Sequence, residues 1–233
     1  MKNKLSIIIP IFNEKNNILV LTNKIIFNLV KIKYEIIFVD DNSTDNSRKI
    51  LYELRKKYKF FKPILRNKKR DLTQSCFEGI EKAKYENILV MDGDLQHNPK
   101  YIRRMLVELS KKKLDVVIGA RKLFSGKNKG LTELRRFASI ILIYFFKIFR
   151  INTNDPMSGF FLFNKKIYFL NKKNFYGKGF KILADILINS KTDLKTKDIF
   201  IKFERRYDSQ SKMNYKILYI LIKFYFFSLF KNI

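Results

Sequence analysis

A chain of 233 residues, 46% of them hydrophobic, is long enough to bury a substantial core as one large domain. Its single cysteine, Cys76, excludes a disulfide framework and a cysteine-based zinc site, and a reduced intracellular compartment is the natural expectation. With 49 Lys+Arg against 21 Asp+Glu the formal net charge is +28. Such a surface attracts polyanions, whether nucleic acid, acidic lipid head groups or phosphorylated substrates, but a coding bias toward Lys and Asn gives the same total, so position informs more than the sum.

In chain order, MKNKLSIIIPIFNEKNN sets basic residues before a short apolar run, and Pro10 with its polar neighbours ends that run too early for a signal peptide. LSIIIP (5–10), YEIIFVD (34–40), FKPILR (61–66), NILVMD (87–92) and LDVVIGA (114–120) are short and rich in β-branched residues. Near-continuous apolar runs of this length predict strands buried on both faces, as in a parallel sheet. Between them lie amphipathic stretches. DNSRKILYELRKKY puts Ile50, Leu51, Leu54 and Tyr58 on one side of a helix, and NPKYIRRMLVELSKK opens with Asn98-Pro99, a helix start. The alternation predicts an α/β sheet with right-handed crossovers. KLFSGKNKGLTE (122–133) reads as a mobile loop, and no stretch of 18 uninterrupted apolar residues suggests a membrane span.

In open α/β sheets, ligands bind outside the carboxyl ends of the strands. The residues there are PIFNE, VDDNSTD, MDGDLQH and GAR. Acids at these mouths are unexpected in so basic a chain. Asp92, Asp94 and Gln96 are spaced i, i+2, i+4, and in extended backbone alternate side chains share a face, so three oxygens can converge. Hard oxygen ligands suit Mg²⁺ or Mn²⁺, and such an ion would bridge a pyrophosphate and stabilise it as a leaving group. The alternatives are a turn with solvated acids, or a calcium loop. The latter needs Gly and Glu where this chain has His97 and Arg103, and a helix rather than a strand before it. His97 is read as supporting the acids or as solvated. VDDNSTD can open a helix, with Ser43 or Asp41 capping and Asp45 favouring the dipole, and can equally accept hydrogen bonds from a base or ribose. With only 8 Gly, neither a GxGxxG loop nor a P-loop is present.

Together these stretches resemble family 2 of the inverting glycosyltransferases, and more narrowly the polyprenol-phosphate (dolichol-phosphate) mannosyltransferases, from SIIIPIFNE to SKM. The resemblance implies the GT-A fold, a mostly parallel central sheet flanked by helices, with amphipathic helices at the membrane interface. It implies a metal-dependent transfer, with inversion, of a hexose (mannose by family weight) from a nucleotide-sugar to a polyprenyl phosphate. Residue by residue, Pro10, Phe12, Glu14, Val39, Asp41, Asp92 and Gly93 would line the donor pocket. Phe12 stands where Tyr is usual. Asp92, Asp94 and Gln96 would hold Mg²⁺ or Mn²⁺ and the diphosphate. Arg121 would face the phosphates, and Arg135 and Ser139 of RRFAS would bind the acceptor phosphate. DPMSGFF (155–161) would shape the sugar pocket, Lys181 would contact substrate, and FERRYDSQSKM supplies Arg206, Ser211 and Lys212, with Ser209 in place of the usual Gly. Asp92, Asp94, Arg121 and Arg135 are the implied catalytic set. A phosphate monoester acceptor is already anionic, so no strong general base is needed and catalysis rests on positioning and charge neutralisation.

A lipid acceptor requires membrane contact. LRRFASIILIYFFKIFR carries Arg136, Ser139, Lys147 and Arg150 as nearly one helical stripe, and KMNYKILYILIKFYFFSLF carries Lys212, Lys216, Tyr219 and Lys223 as another. Both stripes run along apolar cylinders that fit interfacial helices or core helices. For 217–230 the abundance of Phe and Tyr favours the interface. The expected division is therefore a catalytic domain over 1–212 and an interfacial anchor over 213–233, peripheral at the cytoplasmic face of the membrane, with no identified membrane subunit. A transferase acting on a soluble glycan is the alternative within the fold. A nucleic-acid binder is set aside because acids at the strand mouths would repel phosphates.

Overall fold

The apolar run KLSIIIPI becomes β1 (Lys4–Ile11), and Leu5, Ile7, Ile8 and Ile9 are completely buried. A strand this apolar on both faces needs cover above and below, and it receives it in the interior of a seven-stranded sheet. The structure is a computed structural model that describes residues 4–121, 151–204, 223, 224, 226–228 and 230. Four parallel strands form one half of the sheet: β2 (Lys33–Asp41) and β4 (Asn87–Val90) flank β1, and β3 (Ile64–Arg66) lies outside β2. β5 (Val116–Arg121) does not pair with β4. β6 (Phe161–Asn164) lies between them, antiparallel to both, and β7 (Thr196–Ile201) joins β5 in parallel at the edge. The order is β3-β2-β1-β4-β6-β5-β7.

The five expected strands are present: β1 and β2 each run one residue further at both ends, β5 is shifted to 116–121, and β3 and β4 are shorter. The run 61–66 pairs as a strand only from Ile64, Phe61 making an isolated bridge to Ile36, and the run 87–92 leaves the ladder after Val90. β6 and β7 go beyond the expectation, and β6 makes the sheet mixed.

Alternation along the strands sorts the core into two layers. Ile7, Ile9, Phe38 and Leu89 face α1 (Lys15–Asn28), α2 (Ser47–Lys57) and α4 (Ile102–Lys111). Ile8, Val39, Val90, Ile118 and Phe161 face α3 (Leu72–Lys82), α5 (Lys165–Asn171) and α6 (Ile182–Asn189). In α2, Leu51 and Leu54 are buried with Ile50 and Tyr58 packed beside them, as the periodicity predicts. Asn98 caps the turn Pro99–Tyr101 by accepting from Lys100 N–H at 3.0 Å, which leads into α4. The connection β1-β2-β3 runs one way across the sheet and β4 returns to the other side of β1. The switch point thus lies between the mouths of β1 and β4, where a crevice opens in sheets of this kind.

The stretch 217–230 is described only at 223, 224, 226–228 and 230. Phe224 is buried against Ala184 and Ile188 of α6, and Ser228 Oγ accepts from Asn189 Nδ2 at 3.2 Å. Phe226 and Phe230 are exposed and stack on each other with centroids 6.3 Å apart. The expected loop 122–133 and apolar stretch 137–149 lie outside the described residues. Among the described residues, no helix is long and apolar enough to cross a membrane.

Candidate active site at the strand mouths

Three strands turn away from the sheet through a non-glycine residue in the left-handed region: Asn13 after β1 (φ 57°), Asn42 after β2 (φ 65°) and Leu95 after β4 (φ 64°). Asn tolerates this conformation; Leu does so only under constraint. The first two turns are fastened together. Thr44 N–H donates to Asn13 Oδ1 at 2.8 Å, and Asn13 N–H donates to Ser43 Oγ at 2.9 Å. Helix α2 begins later than a cap at Ser43 or Asp41 would put it. Asp45 takes that work, accepting from Ser47 N–H at 2.9 Å and Lys15 N–H at 3.1 Å. Burial acts to raise the Asp45 pKa, but these hydrogen bonds outweigh it and hold the carboxyl below its ordinary range.

Asp41 sits deep in the mouth of β2. One oxygen pairs with Arg66, and the other accepts from Asp71 N–H at 2.8 Å. Desolvation raises the Asp41 pKa and Arg66 only partly offsets that. Val39 is wholly buried, its side chain against α3, where a Cβ on Gly79 would come 3.1 Å from Val39 Cγ2. Phe12, at the mouth of β1, lies under the Arg70 guanidinium, 3.9 Å from the ring centroid. Glu14 Oε2 accepts from Asn17 Nδ2 at 2.6 Å, facing α1.

The acidic turn after β4 is not extended. Leu95 reverses it, and Asp94 Oδ1 accepts from Gln96 N–H at 3.1 Å. The alternation argument for three converging side chains therefore does not describe this backbone; the acids are presented by a tight turn instead. Gln96 Nε2 donates to the Glu204 carbonyl at 3.3 Å, and Glu204 N–H returns a bond to the Gln96 carbonyl at 3.1 Å, tying the turn to the segment after β7. His97 is 3% exposed and stacks on Phe160 with centroids 5.2 Å apart. Its Nδ1 accepts from Asp92 N–H at 3.3 Å. Burial, aided by Arg121, pushes its pKa down to about 4, so it is a neutral prop beneath the turn. Gly93 presses on β1, where a Cβ would fall 2.6 Å from Ile11 Cγ2. The Asp92 carboxylate rests on Gly159, where a Cβ would fall 2.4 Å from Asp92 Oδ2.

Opposite stand two cations. Arg121, closing β5, is forked onto the buried Asp155 at 2.7 and 2.8 Å. Burial works against its charge, but the Asp155 bonds and the charges of Asp155 and Asp92 raise its pKa. Lys181, just before α6, is pushed down to about 8 by burial and then by Arg121. A cleft of about 90 Å³ at the switch point is lined by Pro10, Asp92, Ser158, Gly159 and Lys181 among others. The described site residues Pro10, Asp92 and Lys181 thus share one cleft, Arg121 is coupled electrostatically to both Asp92 and Lys181, and Val39 stays in the core. Arg135, Ser139, Arg206, Ser211 and Lys212 lie outside the described residues.

The donor set at the turn suits a hard divalent ion, since it offers carboxylate oxygen. Among the described residues no group of three His, Cys, Asp or Glu side chains assembles. The residues that would hold such an ion are Asp92 and Asp94, with the Gln96 amide beside them, the other ligands coming from substrate oxygens and water, as Mg²⁺ sites commonly do. His97 supports the acids as one of its two expected readings had it, whereas Asp155, Arg66 and Asp71 were not anticipated in these roles. Their partners lie far off in sequence (34 residues for Asp155 and Arg121), so no local pattern signals them.

A model described as Glycosyl transferase family 2 matches residues 6–169. The chain belongs to that family. Within it, the chain is 34% identical over 219 residues to a protein of Pyrococcus furiosus named dolichol-phosphate mannosyltransferase, covering 93% of this chain and 61% of that one. It is 32% identical to the Saccharomyces cerevisiae protein of the same name, covering 78% of this chain and 69% of that one. This chain thus spans about three-fifths of the length of the archaeal relative. Among solved structures, glucosyl-3-phosphoglycerate synthase from Mycobacterium tuberculosis, in complex with Mn²⁺, uridine-diphosphate-glucose and phosphoglyceric acid, superposes with a TM-score of 0.69 at 14% identity, covering 96% of this chain and 80% of that one. At that identity the likeness is one of fold, and the GT-A arrangement is the one observed.

Proposed function

We propose that this protein is an inverting glycosyltransferase that moves a hexose, mannose by the names of its relatives, from a nucleoside-diphosphate sugar to a polyprenyl phosphate at the cytoplasmic face of a membrane. One observation carries the reading: at the β1/β4 switch point Asp92 of the acidic turn and Lys181 line a single cleft, and Arg121 is coupled electrostatically to both. Acids alone would repel a diphosphate, and cations alone would not need them. A divalent ion, when bound at Asp92 and Asp94, would neutralise charge developing on the leaving diphosphate.

The residues of the chain do the rest. An oxygen of the acceptor phosphate forms a bond to the anomeric carbon while the bond from that carbon to the donor's phosphate oxygen breaks, its electron pair leaving with the nucleoside diphosphate. The attacking group is already an anion, so no proton has to be removed. The site must instead hold two anionic substrates within bonding distance, and Arg121 and Lys181 offset their repulsion. By resemblance, Arg135 and Ser139 take the acceptor phosphate, and Arg206 and Lys212 the donor. Residues 1–212 then form the catalytic domain and 213–233 its interfacial anchor.

The test uses Asp94→Asn, which keeps an oxygen for Gln96 N–H and so spares the turn. With Mn²⁺ and farnesyl phosphate, transfer from GDP-mannose or UDP-glucose is expected to fall at least 100-fold while the melting temperature holds. Transfer by this variant at the wild-type rate, or no transfer by the wild type from either donor, would reject the reading.

A further inference from the structure

Asp155 lies in the polar segment that leads into β6, and Arg121 devotes three hydrogen bonds to it. Nε donates to Oδ2 at 2.7 Å, Nη2 to Oδ1 at 2.8 Å, and the Arg121 backbone N–H to Oδ2 at 3.1 Å. This is the bidentate fork that guanidinium and carboxylate geometry favour. The Asp155 side chain is 1% exposed and that of Arg121 31%, so the acid is the floor and the guanidinium stands above it. The floor is itself anchored. Asp155 N–H donates to Thr153 Oγ1 at 3.2 Å, and that hydroxyl donates to Asp198 Oδ1 at 2.6 Å. Asn154 N–H and Nδ2 both donate to Asp198 Oδ2, at 2.7 and 2.8 Å. Asp198 belongs to β7 and stands in register with Ile118 of β5, the strand that ends at Arg121. The two strands therefore hold the clamp from both ends, and the Phe203 ring lies 5.5 Å from the Arg121 guanidinium.

We propose that Asp155 is a positioning residue for the transfer: it occupies the Nε–Nη2 edge of Arg121, so that the guanidinium meets a substrate phosphate in one orientation only, and it trims the positive charge of the cleft. The proposal rests on the reading of Arg121 as a phosphate-facing cation. It has two consequences of opposite sign. Removing the acid's charge leaves Arg121 and Lys181 less compensated, so a simple anion binds more tightly. The same removal lets the guanidinium turn, so transfer slows. A role in folding alone would weaken both.

In the full chain, Asp155→Asn is compared with wild type in two assays at equal Mn²⁺: calorimetric binding of inorganic pyrophosphate, and transfer from GDP-mannose to farnesyl phosphate. Pyrophosphate is expected to bind roughly three- to tenfold more tightly and kcat to fall about 100-fold. A residue that acts through another also leaves a signature in the double variant: Arg121→Gln with Asp155→Asn should be no slower than Arg121→Gln alone. Binding that weakens or stays unchanged, a kcat at the wild-type level, or losses that multiply in the double variant would overturn the proposal. Should Asp155→Asn fail to fold, Asp198→Asn loosens the same clamp one link further out while leaving the Asp155 charge in place, so it must slow turnover without tightening pyrophosphate binding; a kcat at the wild-type level there overturns the proposal equally. A wild type that transfers no sugar rejects glycosyl transfer, while the pyrophosphate arm still decides on the clamp.

Discussion

Lys181 is the residue whose charge is least secure. Burial removes water from its ammonium and Arg121 repels it, which together bring its pKa from 10.5 to about 8. If the ammonium form is the one that meets substrate phosphate, the free enzyme loses it as pH rises through about 8. The value of kcat/KM for the donor is therefore expected to fall on the alkaline side with a midpoint near there, and Lys181→Arg should move that limb upward, since guanidinium stays charged. An alkaline limb at the same pH in both proteins would remove Lys181 from the role. The stability consequence has its own sign. Between the folded pKa of about 8 and the unfolded 10.5 the unfolded chain binds more protons, so stability rises with pH across that window. At pH 7 the buried ammonium is a burden, and Lys181→Met should melt higher than wild type even as transfer is lost.

At the scale of elements, two glycines separate packing from chemistry. A Cβ on Gly79 of α3 would come 2.5 Å from Ile8 Cγ2 in the closed core between helix and β1. Gly79→Ala is expected to lower stability by about 1–3 kcal/mol, read from denaturant unfolding, because neither partner has room to yield. A Cβ on Gly159 would instead meet the Asp92 carboxylate, and the Asp92 side chain is 39% exposed and can swing aside. Gly159→Ala should keep its stability within about 1 kcal/mol and lose Mn²⁺ affinity, measured by calorimetry, by tenfold or more. Equal metal binding would show that Asp92 is not held where the ion needs it. The same contrast marks what was legible in the sequence. Buried parallel strands announce themselves as apolar runs, and so β1 to β5 could be read. β6 is four residues long inside an aromatic stretch, and α6 is buried on all sides, so neither shows a periodic contrast. β7 did carry one, with Ile199 and Ile201 buried around an exposed Phe200. Asp92 and Asp94 stood out as acids at a strand end. The turn that presents them did not, because Leu95 at positive φ and its fastening to Glu204 depend on contacts more than a hundred residues apart in sequence.

For the whole molecule, the charge of +28 and the apolar stretch 217–230 both bear on the proposed membrane partner, a surface carrying anionic lipid. The sequence favours the interface for 217–230, whereas its described residues divide between interface and core. Phe224 and Ser228 close over α6, while Phe226 and Phe230, spaced to share a helical face, stack in the open. A truncation of 213–233 would therefore uncover Ala184 and Ile188 as well as remove an anchor, and a loss of flotation could arise from either. The clean experiment changes the outward face alone. Phe226→Ser with Phe230→Ser changes two exposed rings, so the melting temperature should hold. Each ring withdrawn from a bilayer interface forgoes part of the roughly 1.5–3 kcal/mol available to a buried aromatic, so binding to vesicles of mixed neutral and anionic lipid should drop at least tenfold. On the proposed reading lysines near lipid phosphates would contribute the rest, so raising the salt from 0.1 to about 1 M, which shortens the screening length to about 3 Å, should weaken what remains. Phe224→Ser supplies the opposite control, a loss of stability whatever the lipid. Unchanged vesicle binding by the double serine variant would reject the outward aromatic face as the anchor and turn the test to the basic surface and the apolar stretch 137–149.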